Sequence, residues 1–91
     1  MAIVKNINGS ADNRPQAGYA SWKDYWEVNM HRRFSWCSSL TCNNLADVGG
    51  HVKKVNGSGE WYIVPICSKH NNLPAGYTYE VADSDMLRVI E

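Results

Sequence analysis

Three cysteines and one histidine stand in two short pairs whose side chains are suited to binding a metal ion. Cys37 and Cys42 are separated by four residues and Cys67 and His70 by two, with 24 residues between the pairs. A tight turn brings both members of such a pair to one ion, and structural zinc is commonly held by three cysteines and one histidine. This grouping uses every cysteine of the chain. The sequence therefore predicts a structural zinc site formed by Cys37, Cys42, Cys67 and His70.

Other uses of these residues stay open at this point. Cys37 and Cys42 could form a local disulfide, with Cys67 buried as a small apolar side chain. His51 could be the fourth zinc ligand in place of His70, or a hairpin histidine that hydrogen-bonds the backbone. Zinc coordination carries a further expectation, because the free energy of metal binding would then be free energy of folding. Removing the ion should unfold the chain.

A helix is predicted over residues 21–32, ahead of the first cysteine pair. Ser21 is followed three residues later by Asp24, which resembles a capping box with Asp in place of Glu. Large apolar side chains then recur on one side at helical spacing, namely Trp22, Tyr25, Trp26 and Met30. A small domain must bury its tryptophans, so this stripe is predicted to face the core rather than to stack on nucleic-acid bases.

The two ligand pairs flank a predicted β-hairpin. Residues 34–44 are predicted to form a zinc knuckle, and residues 45–52 and 61–66 two strands joined through the turn signal Asn56-Gly57. A short helix is predicted after Cys67, ending before Pro74 and Gly76. Residues 77–81 alternate like a strand, and residues 83–91 fit either a helical turn or a strand. Residues 1–20 have the composition of a loop-rich segment.

This order of elements resembles the zinc-containing HNH or ββα-metal group, which has a treble-clef architecture. The residues that carry the resemblance are Cys37 and Cys42, the segment Ala46-Asp47-Val48-Gly49-Gly50-His51-Val52, and the segment Tyr62-Ile63-Val64-Pro65-Ile66-Cys67-Ser68-Lys69-His70-Asn71. The chain also looks like a set of small bacterial and phage-associated proteins with the pattern GGHV followed by WYIVPxCxxHN. The resemblance covers residues 36–73 and implies that they form a zinc ββα core in an α+β fold. The length of 91 residues predicts a single domain, 1–91, in which the predicted amphipathic helix lies N-terminal to that core.

The resemblance also implies a catalytic pair. In HNH nucleases the first histidine is the general base that activates water, and His51 matches its place. Asn71 matches the metal ligand on the helix, where some nucleases of this group use asparagine to hold one magnesium ion. Tyr62 stands where an asparagine is usual, and Gly50 where an acidic residue is common, so the match is incomplete. Lys53 and Lys54 follow His51 and are candidates for contacts to a nucleic-acid backbone, or else part of a solvated loop.

Composition limits the classes of function. The chain is neutral overall, but residues 1–54 carry a net charge of +3 and residues 55–91 a net charge of −3. A strongly basic nucleic-acid binder is therefore excluded for the chain as a whole. No apolar run approaches the roughly 20 residues that cross a bilayer, and no signal-peptide core is present. The sequence predicts a cytoplasmic protein without membrane contact, and we assume a monomer.

Two functions follow as expectations. The first is a non-catalytic zinc-binding module that binds a macromolecular partner, with nucleic acid as one candidate through the basic stretch 31–54. The second is a compact magnesium-dependent endonuclease that uses His51 and Asn71. The second requires the His51 ring and the Asn71 amide to converge on an open cleft about as wide as one hydrated ion, because general-base catalysis depends on that geometry.

Overall fold

Short segments rich in apolar residues pair into one antiparallel sheet of five strands. The computed structural model describes residues 1–7, 18–57, 59–74 and 76–89. In chain order the elements are β1 (Ala2–Asn6), α1 (Trp22–Met30), β2 (Val48–Lys54), β3 (Tyr62–Ile66), α2 (Ser68–Asn71), β4 (Thr78–Val81), a 3-10 turn (Asp83–Asp85) and β5 (Leu87–Arg88). The strands lie side by side in the order β4-β1-β2-β3-β5. The predicted α+β class is confirmed at this level.

The predicted hairpin is present as β2 and β3. His51 lies opposite Ile63 and Val52 opposite Tyr62, and the turn after β2 is closed by a hydrogen bond from the Gly57 N–H to the Lys54 carbonyl. Strand β2 begins three residues later than predicted and runs on to Lys54. Strand β5 is short and pairs with β3 at Tyr62 and Ile63. Pro65, further along β3, therefore lies on an edge of the sheet, where its missing N–H costs no hydrogen bond.

The interpretation of residues 1–20 as loop is wrong for the first strand. Ala2–Asn6 lies between β4 and β2 and pairs with both, and Val4 is completely buried. The run is too short, and too close to asparagine and glycine, for its alternation to stand out in the sequence. Tertiary pairing on both sides fixes it as a strand regardless of local composition. The part of the loop interpretation that covers residues 8–17 lies outside the described residues.

The predicted helix is present as α1, with both ends defined by backbone chemistry. The Ser21 side chain accepts a hydrogen bond from the Asp24 N–H, as the predicted cap requires. His31 ends the helix in the left-handed region at φ 55°, and its N–H bonds to the Glu27 carbonyl. Tyr25 and Trp26 are buried against the sheet, which confirms that the aromatic stripe faces the core.

The sheet separates two apolar clusters, and the cysteines belong to one of them. On the face covered by α1 the buried residues are Tyr25, Trp26, Ile63 and Val89. On the other face they are Val4, Val52, Val64, Ile66, Tyr79 and Val81, together with Cys37 and Cys67. The predicted metal ligands therefore complete the core on the face away from α1.

The last part of the described chain settles the remaining predictions about its elements. Strand β4 alternates exposed and buried residues as expected, and the tail contains both predicted forms, a 3-10 turn followed by a short strand. None of the helices in the described ranges has the length and apolar character needed to span a bilayer.

Candidate metal centre

The four predicted ligands converge. One donor atom from each of Cys37, Cys42, Cys67 and His70 lies within 4.8 Å of the others. The Cys42 and Cys67 sulfurs are 3.7 Å apart, and His70 Nδ1 is 3.3 Å from the Cys67 sulfur and 3.8 Å from the Cys37 sulfur. Around a tetrahedral zinc ion, Zn–S and Zn–N bonds of the usual length place neighbouring ligand atoms about 3.3–3.8 Å apart. The donor set and its spacing fit zinc.

The competing uses of these residues are not present. All three cysteines are free thiols, so Cys37 and Cys42 form no local disulfide. His51 does not belong to the cluster, whose histidine is His70. A Cys3His group that could hold a metal ion is therefore a feature of this fold.

Cys37 and Cys42 lie on a short two-stranded segment that we call the ribbon, residues 35–46. Its two arms are joined by hydrogen bonds from the Cys37 N–H to the Asn44 carbonyl and from the Ala46 N–H to the Ser35 carbonyl. The Cys42 N–H bonds to the Ser39 carbonyl inside the turn, which brings the second cysteine back toward the first. This ribbon corresponds to the knuckle predicted over residues 34–44.

The ribbon is fixed to two separate strands of the sheet. The Ser38 N–H donates to the Pro65 carbonyl on β3 at 2.7 Å, and the Leu40 N–H donates to the Glu80 carbonyl on β4 at 2.9 Å. Ser38 and Ser39 are buried there. Both edges of the sheet are thus partly covered by the segment that carries two of the ligands.

Cys67 and His70 are placed by the single turn of α2. Cys67 occupies the N-cap position, and His70 follows three residues later on the same side of the turn. Because Cys67 makes no side-chain cap hydrogen bond, Asp47 takes that role: its carboxylate accepts from the Ser68 N–H at 3.1 Å and from the Ser68 hydroxyl at 3.2 Å. An acid at a helix start is favourable.

Two residues that sequence reasoning missed hold the other end of this turn. The Asn6 side chain donates to the His70 carbonyl at 2.7 Å, and the Tyr79 hydroxyl donates to Asn6 Oδ1 at 2.6 Å. The Tyr79 ring also meets the His70 ring edge-on, with centroids 5.1 Å apart. No signal in the sequence joins Asn6 to His70, because they are 64 residues apart and Asn6 was assigned to a loop.

The thiols have different affinities for protons. Burial raises the pKa of the Cys67 thiol, but hydrogen bonds from His70, Cys42 and Asn44 outweigh it and bring that pKa down to about 6. Burial raises the pKa of the Cys37 thiol to about 11. Cys67 is therefore a ready thiolate at neutral pH, whereas a cation at the site would be needed to favour the charged form of Cys37.

His51 lies in a different environment from the one that the nuclease hypothesis requires. It is 6% exposed, and its ring contacts Trp22 and Trp61 edge-on at centroid distances of 4.5 and 5.7 Å. Its Nε2 atom is buried and has no hydrogen-bond partner among the described residues. Burial lowers the pKa of this imidazole to about 4.

His51 and Asn71 are on opposite faces of the sheet. The Cβ of any side chain at position 50 would lie 3.6 Å from Asn71 Oδ1, which places Asn71 on the face toward which Gly50 points. His51 is the next residue of the strand, so it points to the other face, toward α1. The structure does not bring together the pair expected to be catalytic.

Lys53 and Lys54 do not form one basic surface. As consecutive residues of β2 they point to opposite faces. The Lys54 amine lies over the Tyr62 ring at 5.3 Å, whereas Lys53 lies opposite Lys5 of β1.

Comparison of the chain with protein-family models, with curated proteins and with solved structures gives no match.

Proposed function

We propose that this protein is a small zinc-binding module, in which one ion held by Cys37, Cys42, Cys67 and His70 stabilises the fold, and that it binds a macromolecular partner without catalysis. The observation that carries the proposal is the convergence of the four donor atoms to within 4.8 Å of one another. Three thiols and one imidazole are the donor set of structural zinc sites.

The role of the ion is structural rather than catalytic in this proposal. Four protein ligands complete a tetrahedron and leave no position for water or substrate, whereas catalytic zinc keeps one position open. Cys37 and Cys67 are also buried within an apolar cluster of the sheet. An ion there would link the ribbon, the end of β3 and α2, none of which has a large core of its own.

The treble-clef architecture is part of the same proposal. The ribbon with two ligands, the hairpin of β2 and β3, and a helical turn with two further ligands follow one another in the order typical of that architecture. This chain differs in two respects: the final helix has only four residues, and β1, β4 and β5 extend the hairpin into a wider sheet.

Exposed apolar side chains on the ribbon support the partner-binding part. Trp36 and Leu45 are bridge partners across the ribbon and are 63% and 61% exposed. Residues 34–46 include no charged side chain. An apolar, uncharged surface of this kind suits a protein partner better than a phosphate backbone, which is bound by lysine and arginine. Since His51 and Asn71 do not converge, we do not propose an endonuclease.

Metal-dependent folding tests the proposal. Protein stripped of metal under reducing conditions should lose its circular-dichroism signal for ordered structure, and should regain it with one equivalent of zinc. Cys42→Ser should abolish tight binding, whereas Ser39→Ala, in the same turn, should retain it. A stripped protein with an unchanged spectrum and no uptake of zinc would contradict the proposal.

A further inference from the structure

His70 presents one particular nitrogen to the cysteines. Its Nδ1 atom lies 3.3 Å from the Cys67 sulfur and 3.8 Å from the Cys37 sulfur. Nδ1 is the ring nitrogen nearer the backbone, and Cys67 and His70 are separated by less than one helical turn. Because His70 is so close to Cys67 in sequence, its donor atom must lie near the backbone to share an ion with the Cys67 sulfur, which favours Nδ1 over the more distant Nε2.

The Asn6 amide has only one orientation that satisfies both of its partners. The His70 carbonyl can only accept a hydrogen bond, so the atom 2.7 Å from it must be the Asn6 NH₂ group. The Asn6 oxygen then faces the Tyr79 hydroxyl, which donates to it at 2.6 Å. The direction of both hydrogen bonds is therefore fixed: the Tyr79 hydroxyl donates to Asn6, and Asn6 donates to the His70 carbonyl.

Helix α2 depends on such outside contacts. It has four residues, and a single helical turn is not stable alone, because nucleation fixes several dihedral angles for one hydrogen bond. Asp47 holds its first residue and Asn6 its end. The Tyr79 ring, 8% exposed, packs against the imidazole itself. The backbone and the ring of His70 are therefore both constrained from the sheet.

We propose that His70 binds zinc through Nδ1, and that Asn6 and Tyr79 are positioning residues that hold it in that orientation. This inference rests on the proposed zinc site and makes β1 part of it, although β1 contributes no ligand. Groups that orient metal ligands typically contribute 10–100-fold to affinity. This contribution to zinc affinity should come from the hydrogen bond that the Asn6 amide donates, because the carbonyl that accepts it belongs to His70.

The coordinating nitrogen is tested directly by ¹⁵N NMR of zinc-loaded protein. Two-bond proton–nitrogen correlations should assign the metal-bound shift to His70 Nδ1 and a protonated Nε2 to the same ring. A metal-bound Nε2 would overturn the assignment. A wild-type protein that binds no zinc at all would instead contradict the proposed function, so the two failures are distinguishable.

The positioning role is tested by competition of each variant against a chromophoric zinc chelator. Asn6→Ala should lower zinc affinity about 10–100-fold, and Tyr79→Phe, which keeps the ring but removes the O–H donor, should lower it less. Asn72→Ala is the matched control, because Asn72 is exposed at the end of the same turn. In the Co(II) forms, Asn6→Ala should also shift the visible ligand-field bands. Equal affinities and identical Co(II) spectra for Asn6→Ala and Asn72→Ala would overturn the proposal.

Discussion

At the scale of single residues, His51 shows how a histidine can resemble a catalytic base in the sequence and be packed as an aromatic residue in the fold. Its neighbours on the α1 face are the rings of Trp22 and Trp61. Lys53, two residues further along β2, and its partner Lys5 on β1 point to the same face. Burial disfavours the charged form of the ring and lowers its pKa to about 4.

Acid should therefore destabilise the protein through His51. Its pKa is lower in the folded state than the ordinary histidine value of 6.5, so the folded state resists protonation. The contribution of neutral His51 is intact above pH 6.5 and is lost progressively as the pH falls toward 4. Relative to His51→Phe, the wild type should lose about 2 kcal/mol of unfolding free energy between pH 7.5 and pH 5.

Urea denaturation of both zinc-loaded proteins at the two pH values measures this difference. The zinc ligands are the same in both, so their own response to acid cancels. An unchanged difference in unfolding free energy between the two proteins would mean that His51 is charged, or accessible, in the folded state.

The two histidines should also respond differently to substitution at the metal site. His70→Ala removes a proposed ligand and should lower zinc affinity by more than the roughly 10–100-fold that loss of a ligand-orienting group costs. His51→Phe should leave affinity and stoichiometry unchanged, because His51 lies outside the cluster. The opposite pattern, measured by chelator competition, would make His51 the fourth ligand.

At the scale of elements, the hairpin requires a glycine at the position before His51. A Cβ at Gly50 would overlap the outer atoms of the Ile66 side chain, which is fully buried and would have to shift. The same contact disfavours any larger side chain at position 50. It also packs β2 closely against the end of β3, immediately before Cys67.

Gly50→Ala should thus destabilise the protein by about 1–3 kcal/mol through overpacking. Ile66→Val removes Cδ1, one of the two overlapping atoms, so the double variant should recover part of the loss. The two single variants and the double variant, compared by thermal denaturation, form a cycle whose coupling energy should be favourable. Additive effects would show that the two side chains do not meet.

The elements differ in how far the sequence reveals them. Helix α1, the hairpin and β4 were predictable because their apolar residues repeat with the period of one element and end at turn residues. Strand β1 was not, because its five residues are held by pairing with β2 and β4 rather than by their own pattern. The cluster of three cysteines and a histidine was predictable from spacing, with His51 left open as an alternative to His70, whereas Asn6 reaches His70 only through the sheet. The direction in which His51 points depends on the register of β2, which spacing does not encode.

At the scale of the whole molecule, the core is divided between two faces of one sheet. Each face buries a modest set of side chains, and the cysteine-bearing face includes the ribbon and a single helical turn. A domain of this size buries too little apolar surface to tolerate the loss of one of its links. Adding a high-affinity zinc chelator to the purified protein should consequently lower its melting temperature strongly, and readdition of zinc should restore it.

The charge distribution of the whole chain bears on which partners it can bind. The chain is neutral, and the two lysines after His51 face opposite sides of the sheet. Fluorescence anisotropy with labelled single-stranded and duplex oligonucleotides should therefore show no binding at protein concentrations of about 10 μM in physiological salt, which lies within the roughly 1–100 μM range of ordinary non-specific dissociation constants. Tight, salt-dependent binding that is lost on Lys53→Ala would instead assign the partner as nucleic acid.

In the proposed site one zinc ion is bound by three thiolates and one imidazole. Elemental analysis of protein purified without added metal, combined with thiol titration before and after chelation, tests it most directly. We expect one zinc per chain, with all three thiols protected from the reagent until the ion is removed. A metal-free, folded protein with three thiols reactive from the start would contradict it.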